Sequence, residues 1–157
     1  MKLSVIFRTS CICLIAFFWI ACEKGDEESV KSKAPLHDYW ISARLNNKDA
    51  GTTSTATGIL KGSYSESSKE FSYAITFDSV TAQTVELCKG ARGVNGSRVI
   101  KFSPNDGELY KSPLKGKFTA TALQQRDLVK GLWYILLTSK EYKAGEIRGQ
   151  ITLKQKQ

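Results

Sequence analysis

Glu86 and Cys88, in the segment TVELCKGARGVNGSRVI (residues 84–100), are the residues whose types and spacing best suggest chemistry. Side chains two apart on a strand share one face, so a carboxylate and a thiol would lie side by side. A metal site needs three or four ligands, however, and a cysteine nucleophile needs a base. The only histidine, His37, lies before the first predicted strand. We therefore expect no catalytic residues, no metal and no cofactor, with Cys88 a small, partly buried apolar residue.

A second pair, Glu146 and Arg148, lies in the segment AGEIRGQI (residues 144–151). These side chains also share one strand face, and we expect an ion pair that holds the strand register rather than a ligand contact. Four glycines in the two segments are predicted to serve turns and close packing, namely Gly93, Gly96, Gly145 and Gly149. The amides of the GARGVNG turn could also cradle an anion near Arg92, a possibility that rests on glycine content alone.

The elements that position these residues are strands. Phe71, Tyr73, Ile75 and Phe77 alternate with smaller or polar residues, which predicts a half-buried strand with its aromatic side inward. Similar patterns predict strands at 40–45, 55–64, 71–77, 84–89, 98–102, 114–119, 132–138 and 146–153.

One short helix is predicted at residues 122–130, because Thr121 and Gln124 form a capping box and Gly131 suits the helix end. Turns are predicted at Asn46-Asn47 and at residues 104–107. The spacing indicates an all-β fold, an antiparallel Greek-key β-sandwich or barrel of about eight strands. On it, four strand aromatics are expected in the core rather than on a carbohydrate platform: Tyr39, Trp40, Trp133 and Tyr134.

Composition is that of one globular domain, with 157 residues of which 41% are hydrophobic and 10% aromatic. The net charge of +8 is scattered along the chain without a basic run. Nucleic-acid binding proteins cluster their basic residues, so we expect no nucleic-acid partner.

Residues 1–21 are typical of a secretory leader, because Lys2 and Arg8 lie near the start of an apolar run that is too short to span a bilayer. Its end, Trp19-Ile20-Ala21-Cys22, resembles the lipobox of bacterial lipoproteins, although tryptophan replaces the usual leucine. The resemblance implies that Cys22 carries lipid and anchors the protein in a membrane. Ordinary cleavage, with Cys22 a bystander, is the alternative.

A mainly acidic segment follows, and we interpret residues 22–38 as a flexible tether and residues 39–155 as the folded domain. Such a charged segment resembles that of surface-exported lipoproteins, which implies a location in the outer membrane or cell envelope, exposed at the surface. Loss of Lys2 and Arg8 with the leader lowers the net charge from +8 to +6. Only Cys22 and Cys88 then remain, so no internal disulfide is expected.

Four segments together resemble the CHRD domain, which is named from chordin, a secreted antagonist of growth factors: STATG (54–58), KGARGVNGSRVI (89–100), SPLKGKFTAT (112–121) and AGEIRGQI (144–151). The resemblance implies an all-β fold in which Gly93, Asn95, Gly96, Gly145, Glu146, Arg148 and Gly149 are structural motif positions. The family's usual histidines are replaced by Glu86, Cys88 and Thr138, and Leu136 stands where an asparagine is usual.

These observations predict a non-enzymatic, lipid-anchored binding or adhesion domain with a protein or polysaccharide ligand. One alternative is a degenerate relative of metal-binding or thiol-redox proteins that uses Cys88, and another is a purely structural envelope component with no discrete ligand.

Overall fold

A computed structural model describes residues 35–104 and 109–157, in which nine strands and two helices form. They are β1 (Asp38–Leu45), α1 (Asn47–Ala50), β2 (Thr57–Ser65), β3 (Glu70–Asp78), β4 (Thr84–Lys89), β5 (Ser97–Lys101), β6 (Leu114–Thr119), α2 (Ala122–Val129), β7 (Trp133–Thr138), β8 (Ile147–Gln150) and β9 (Thr152–Gln155). The predicted leader, Cys22 and most of the predicted tether lie outside the described residues, as do residues 105–107 of a predicted turn.

The strands form two antiparallel sheets, one of five strands in the order β6-β3-β2-β1-β9 and one of four in the order β5-β4-β7-β8. The chain therefore folds as an all-β sandwich, which confirms the predicted fold class. It passes from the five-stranded to the four-stranded sheet between β3 and β4, and it returns between β5 and β6, where β6 pairs with β3.

The core lies between the inner faces of the two sheets. Phe71 and Ile75 of β3 are completely buried, as the alternation predicts, and their neighbours Ser72 and Thr76 turn outward. The Phe71 ring packs 5.6 Å, between centroids, from the buried indole of Trp133 in the opposite sheet. Aromatic contacts of this kind join the two layers.

The predicted strand at 146–153 is wrong in one respect, because the structure has two strands there. β8 pairs with β7 in the four-stranded sheet, and β9 pairs with β1 in the five-stranded sheet. At the junction, the amide of Ile151 donates to the carbonyl of Trp133, and Thr152 already lies opposite Ser42. The chain thus turns the corner between the sheets while its apolar side chains keep facing the core.

Helix α2 has the predicted capping box, in which the Thr121 hydroxyl accepts from the Gln124 amide and the Gln124 side chain accepts from the Thr121 amide. Gly131 follows its end with a φ of 69°. The predicted turn at Asn46-Asn47 is instead the start of the one-turn helix α1, with Asn46 as its N-cap. Neither helix in the described part of the chain is long and apolar enough to cross a bilayer.

Candidate functional site

The outer face of the four-stranded sheet gathers the positions that the sequence singles out. Cys88 lies opposite Tyr134 on β7, and Glu86 lies opposite Leu136. The prediction that Glu86 and Cys88 share a face is therefore confirmed by the register. Thr138 lies at the end of the same face, where its hydroxyl is 2.7 Å from that of Thr84.

A loop of residues 90–96, which we call the glycine loop, folds back over this face. Its Gly96 amide donates to the Tyr134 hydroxyl over 3.0 Å. Its carbonyls at Ala91 and Gly90 accept from Arg148 and Gln150 over 2.9 and 3.1 Å. The motif residues of three distant segments thus meet in one packed layer.

Arg148 lies at the centre of this layer and is only 2% exposed. Its guanidinium carbon lies 3.6 Å from the centroid of the Tyr134 ring, and it donates to the Asn95 side chain over 3.4 Å. A buried cation needs such partners, because desolvation otherwise costs several kcal/mol. Arg148 makes no ion pair with any described residue, so its charge is met by dipoles and by the face of an aromatic ring.

The predicted ion pair between Glu146 and Arg148 is wrong. Glu146 precedes β8, and its carboxylate accepts from the Ser54 hydroxyl over 2.6 Å. The Glu146 carbonyl accepts from Thr52 as well. The two motif residues therefore tie different loops to the same strand, since Glu146 holds residues 52–54 while Arg148 holds the glycine loop.

Cys88 is 3% exposed and is a free thiol. Burial raises its pKa, and the hydrogen bond with Tyr134 and the nearby arginines oppose that rise only in part. A thiol that stays protonated is a poor nucleophile and a poor redox sensor. Glu86, beside it, is paired with Arg98 over 3.2 Å.

The described residues include no group of three or more histidine, cysteine, aspartate or glutamate side chains that could hold a metal ion. His37 precedes β1 of the other sheet, and its ring nitrogen lies 2.8 Å from the Gln155 side chain. The structure therefore does not bring Glu86, Cys88 and His37 together, and nothing on this face supports the redox or metal-binding alternative.

The motif glycines act as the sequence predicts. A Cβ atom at Gly96 would overlap the carbonyl of Lys89, and one at Gly149 would overlap the carbonyl of Arg44. Gly93 and Gly145 have positive φ angles, of 76° and 137°. These positions need glycine for close approach or for turning. Three amides of the glycine loop, those of Gly90, Val94 and Gly96, donate to acceptors within the domain.

The five-stranded sheet presents a different outer face, which sequence reasoning missed. Trp40, predicted to lie in the core, is 58% exposed there. Its neighbours Ile41, Ala43 and Leu45 are buried, and their alternation already places position 40 on the opposite side. We call this surface the Trp40 face. Trp133 and Tyr134 are buried as predicted, and Tyr39 packs against the core.

A sequence model of the CHRD domain matches residues 41–151, from β1 into the junction between β8 and β9. The matched residues fold as an all-β sandwich in which buried Arg148 donates to the glycine loop. The chain belongs to the CHRD domain family. No curated protein and no solved structure matches it.

Proposed function

We propose that this protein is a lipid-anchored binding domain of the bacterial cell envelope that acts by adhesion and performs no chemistry of its own. The observation that carries the proposal is the contrast between the two outer faces. The motif residues on the four-stranded sheet are buried under the glycine loop, whereas Trp40 is 58% exposed on the five-stranded sheet. Tryptophan is enriched at binding interfaces and among the residues that carry most of the binding energy, relative to the rest of a protein surface.

Family membership suggests a β-domain with a binding role, and the chemistry of Cys88 agrees with it. A buried thiol whose pKa is raised by burial supplies no nucleophile near neutral pH. The sheet itself is a rigid platform, because its strands are paired along most of their length. Rigid strands hold contact residues with little entropic cost on binding.

The proposed anchor is lipid on Cys22, with the acidic tether as a solvated spacer. Two or more acyl chains hold a protein on a membrane stably, whereas one holds it only marginally. A spacer between lipid and domain leaves the Trp40 face free for a partner in the envelope or on the cell surface.

One experiment tests both halves of the proposal. Cys22→Ala should move the protein from the detergent-dependent membrane fraction to the soluble fraction, while Cys13→Ala in the leader should not. The released protein, added to cells that lack it, should bind them, and the double variant Cys22→Ala/Trp40→Ala should not. Continued membrane fractionation of Cys22→Ala after leader removal would refute the anchor. Binding that is insensitive to Trp40 would refute the contact face.

A further inference from the structure

The Trp40 face is built from two rows of side chains that cross all five strands. The strand registers place these residues directly opposite one another, so that each row points outward from the sheet. The first row is Lys154, Trp40, Ser63, Ser72 and Lys117, and the second is Thr152, Ser42, Lys61, Ala74 and Lys115.

The face carries an excess of positive charge. Neither row contains an acidic residue, and the basic side chains on this face are Arg44, Lys61, Lys115, Lys117, Lys154 and Lys156. Acidic residues lie only at the two ends of the strands, and one of them, Glu70, is paired with Lys117 over 2.9 Å. The centre of the face therefore attracts an anionic partner.

One edge of the face continues this positive surface. A cleft of about 380 Å³ lies there, lined in part by Arg44, Arg92 and Gln150. Arg92 has one acidic neighbour in the cleft, Asp49, at 3.8 Å. The cleft lengthens the surface on which a polymer can lie.

Trp40 gives the face an apolar contact with a cation over one of its rings. The ammonium of Lys156 lies 4.3 Å from the centroid of a Trp40 ring, and more than half of the residue remains exposed. An indole buries the apolar C–H surface of a sugar ring, because that surface is flat and weakly positive toward an aromatic face. A carboxylate on the same sugar would lie within reach of Lys156.

Hydroxyl pairs fill the space between the lysines. The hydroxyls of Ser42 and Thr152 lie 3.1 Å apart, and those of Ser63 and Ser72 lie 2.9 Å apart. Thr152 and Ser72 also donate to the carbonyls of Ser42 and Ser63, so the hydroxyl pairs keep free acceptor sites rather than free donors. Sugar hydroxyls provide the matching donors.

From these features we infer that the Trp40 face binds an acidic polysaccharide, a polymer whose sugars carry carboxylates. The inference rests on the proposed binding function and names its partner. Neighbouring strands are spaced by about 4.8 Å, so the rows extend over about 19 Å, which suits a stretch of polymer rather than one small molecule. Many weak contacts along that stretch add to useful affinity.

Two other anionic partners fit the face less well. A membrane surface would favour several apolar side chains that insert, whereas Trp40 and Ile59 are the large exposed hydrophobic residues on the described part of this face. Single-stranded nucleic acid is held by stacking successive bases on several aromatic side chains, and this face offers one. Serine and threonine hydroxyls between lysines favour the polysaccharide.

The test uses the full-length protein in detergent micelles and polygalacturonate as the probe, with dextran as the uncharged polymer. Polygalacturonate should bind and dextran should not, and the affinity should fall as salt rises, since exposed charges are screened. Trp40→Ala should weaken binding by at least about tenfold, the loss expected for truncating a central aromatic contact. The triple change Lys61→Gln, Lys115→Gln and Lys154→Gln should weaken it similarly and flatten the salt dependence.

Matched controls make the same chemical changes elsewhere. Leu123 is 55% exposed on α2, so Leu123→Ala removes a similarly exposed apolar side chain. The triple change Lys101→Gln, Lys130→Gln and Lys140→Gln removes the same charge from exposed positions outside the face. Each control should change the affinity less than about twofold, because rim and surface substitutions contribute little.

Three outcomes overturn the inference. The first is an equal loss of affinity for polygalacturonate in the two triple lysine variants. The second is tighter binding to phosphatidylglycerol vesicles or single-stranded DNA than to polygalacturonate, and the third is no binding to polygalacturonate. If Trp40-dependent binding to cells persists in the last case, the partner class is wrong and the proposed function stands. If cell binding is absent too, both fail.

Discussion

At the scale of single residues, Arg148 is a motif residue whose side chain holds a loop of the domain in place. Its planar guanidinium stacks on Tyr134 and donates in two directions, toward Ala91 and Asn95. Lysine could not do both, because an ammonium is a compact charge without a stacking plane. The residue thus fixes the position of the glycine loop, and the loop in turn keeps Cys88 and Tyr134 away from solvent.

Replacing a buried tyrosine by phenylalanine should affect the free energy of unfolding differently at two positions of this domain. The Tyr64 hydroxyl is buried and has no hydrogen-bond partner among the described residues. The Tyr134 hydroxyl accepts from the Gly96 amide over 3.0 Å. Tyr64→Phe should therefore leave the free energy of unfolding unchanged or raise it by about 1 kcal/mol, whereas Tyr134→Phe should lower it by about 1–2 kcal/mol.

Urea unfolding of the two variants and the wild type measures this difference. Each variant serves as the control for the other variant, since both changes remove one phenolic oxygen from a buried ring. Equal destabilisation by both changes would mean that Tyr64 has a partner and that the hydroxyl at position 134 has no special role.

At the scale of elements, the strand pair β8 and β9 closes one side of the sandwich. Arg148 exchanges two backbone hydrogen bonds with Asn46 at the end of β1, over 2.9 and 3.0 Å. The backbones approach so closely there that a Cβ atom at Gly149 would overlap the Arg44 carbonyl. The corner therefore depends on a glycine whose neighbours are backbone atoms that cannot move aside.

Gly149→Ala should accordingly lower the free energy of unfolding by about 2–3 kcal/mol, the usual cost of overpacking. Gly93→Ala is the matched control, because Gly93 has a φ of 76° and an added Cβ atom there would meet no atom within 4 Å. It should cost only about 1 kcal/mol, which is the penalty of a left-handed conformation for an L-residue. Thermal or urea unfolding measures both, and a larger loss at Gly93 than at Gly149 would contradict the close approach.

Alternation of side chains is enough to predict most strands and their inward faces. It does not show where a strand changes its partner, because Ile147, Gly149, Ile151 and Leu153 keep the same period across the corner between the sheets. The break becomes visible only through pairing with residues of β7 and β1, which are remote in sequence. Trp40 is a different case, because its aromatic character favours burial whereas the period of its neighbours places it on the outer face.

The candidate site could be predicted in part. The shared face of Glu86 and Cys88 follows from spacing, and the roles of Gly96 and Gly149 follow from the motif. The contact of Arg148 with the glycine loop could not be foreseen, because it joins residues more than fifty apart in the chain. Proximity in sequence favours Glu146 as the partner of Arg148 instead.

At the scale of the whole molecule, the two sheets have complementary roles. The four-stranded sheet buries its polar motif residues and thereby stabilises the fold. The five-stranded sheet carries its charges and its exposed indole on an open surface. Since one core supports both layers, changes on the outer Trp40 face should affect binding without loss of folding, which is what the polysaccharide experiment requires.

The ionisation of the molecule predicts how its stability depends on pH. Burial is the largest cause of a raised pKa at six acidic groups spread over the domain, the thiol of Cys88 and the phenols of Tyr39, Tyr64, Tyr73, Tyr110 and Tyr134. Raised values mean that the folded state keeps protons which the unfolded state has already lost. The contribution of these groups to the free energy of unfolding should therefore be fully present well below about pH 8.5, at which half of the unfolded thiols are ionised, and it should be lost as the pH rises further.

Tyr64 makes the largest single contribution to this fall, because burial, with the charge of Glu66 nearby, raises its pKa from 10.0 to about 12. Its share of the stability is present below pH 10 and is lost as the pH approaches 12, by up to about 3 kcal/mol. Tyr64→Phe has no proton to lose, so its unfolding free energy should decline less steeply than that of the wild type between pH 10 and 11.5. Lysines that titrate in the same range affect both proteins alike and cancel in the comparison. Parallel curves for the two proteins in urea unfolding at pH 8, 10 and 11.5 would show that the Tyr64 phenol ionises as readily in the folded domain as in the unfolded chain.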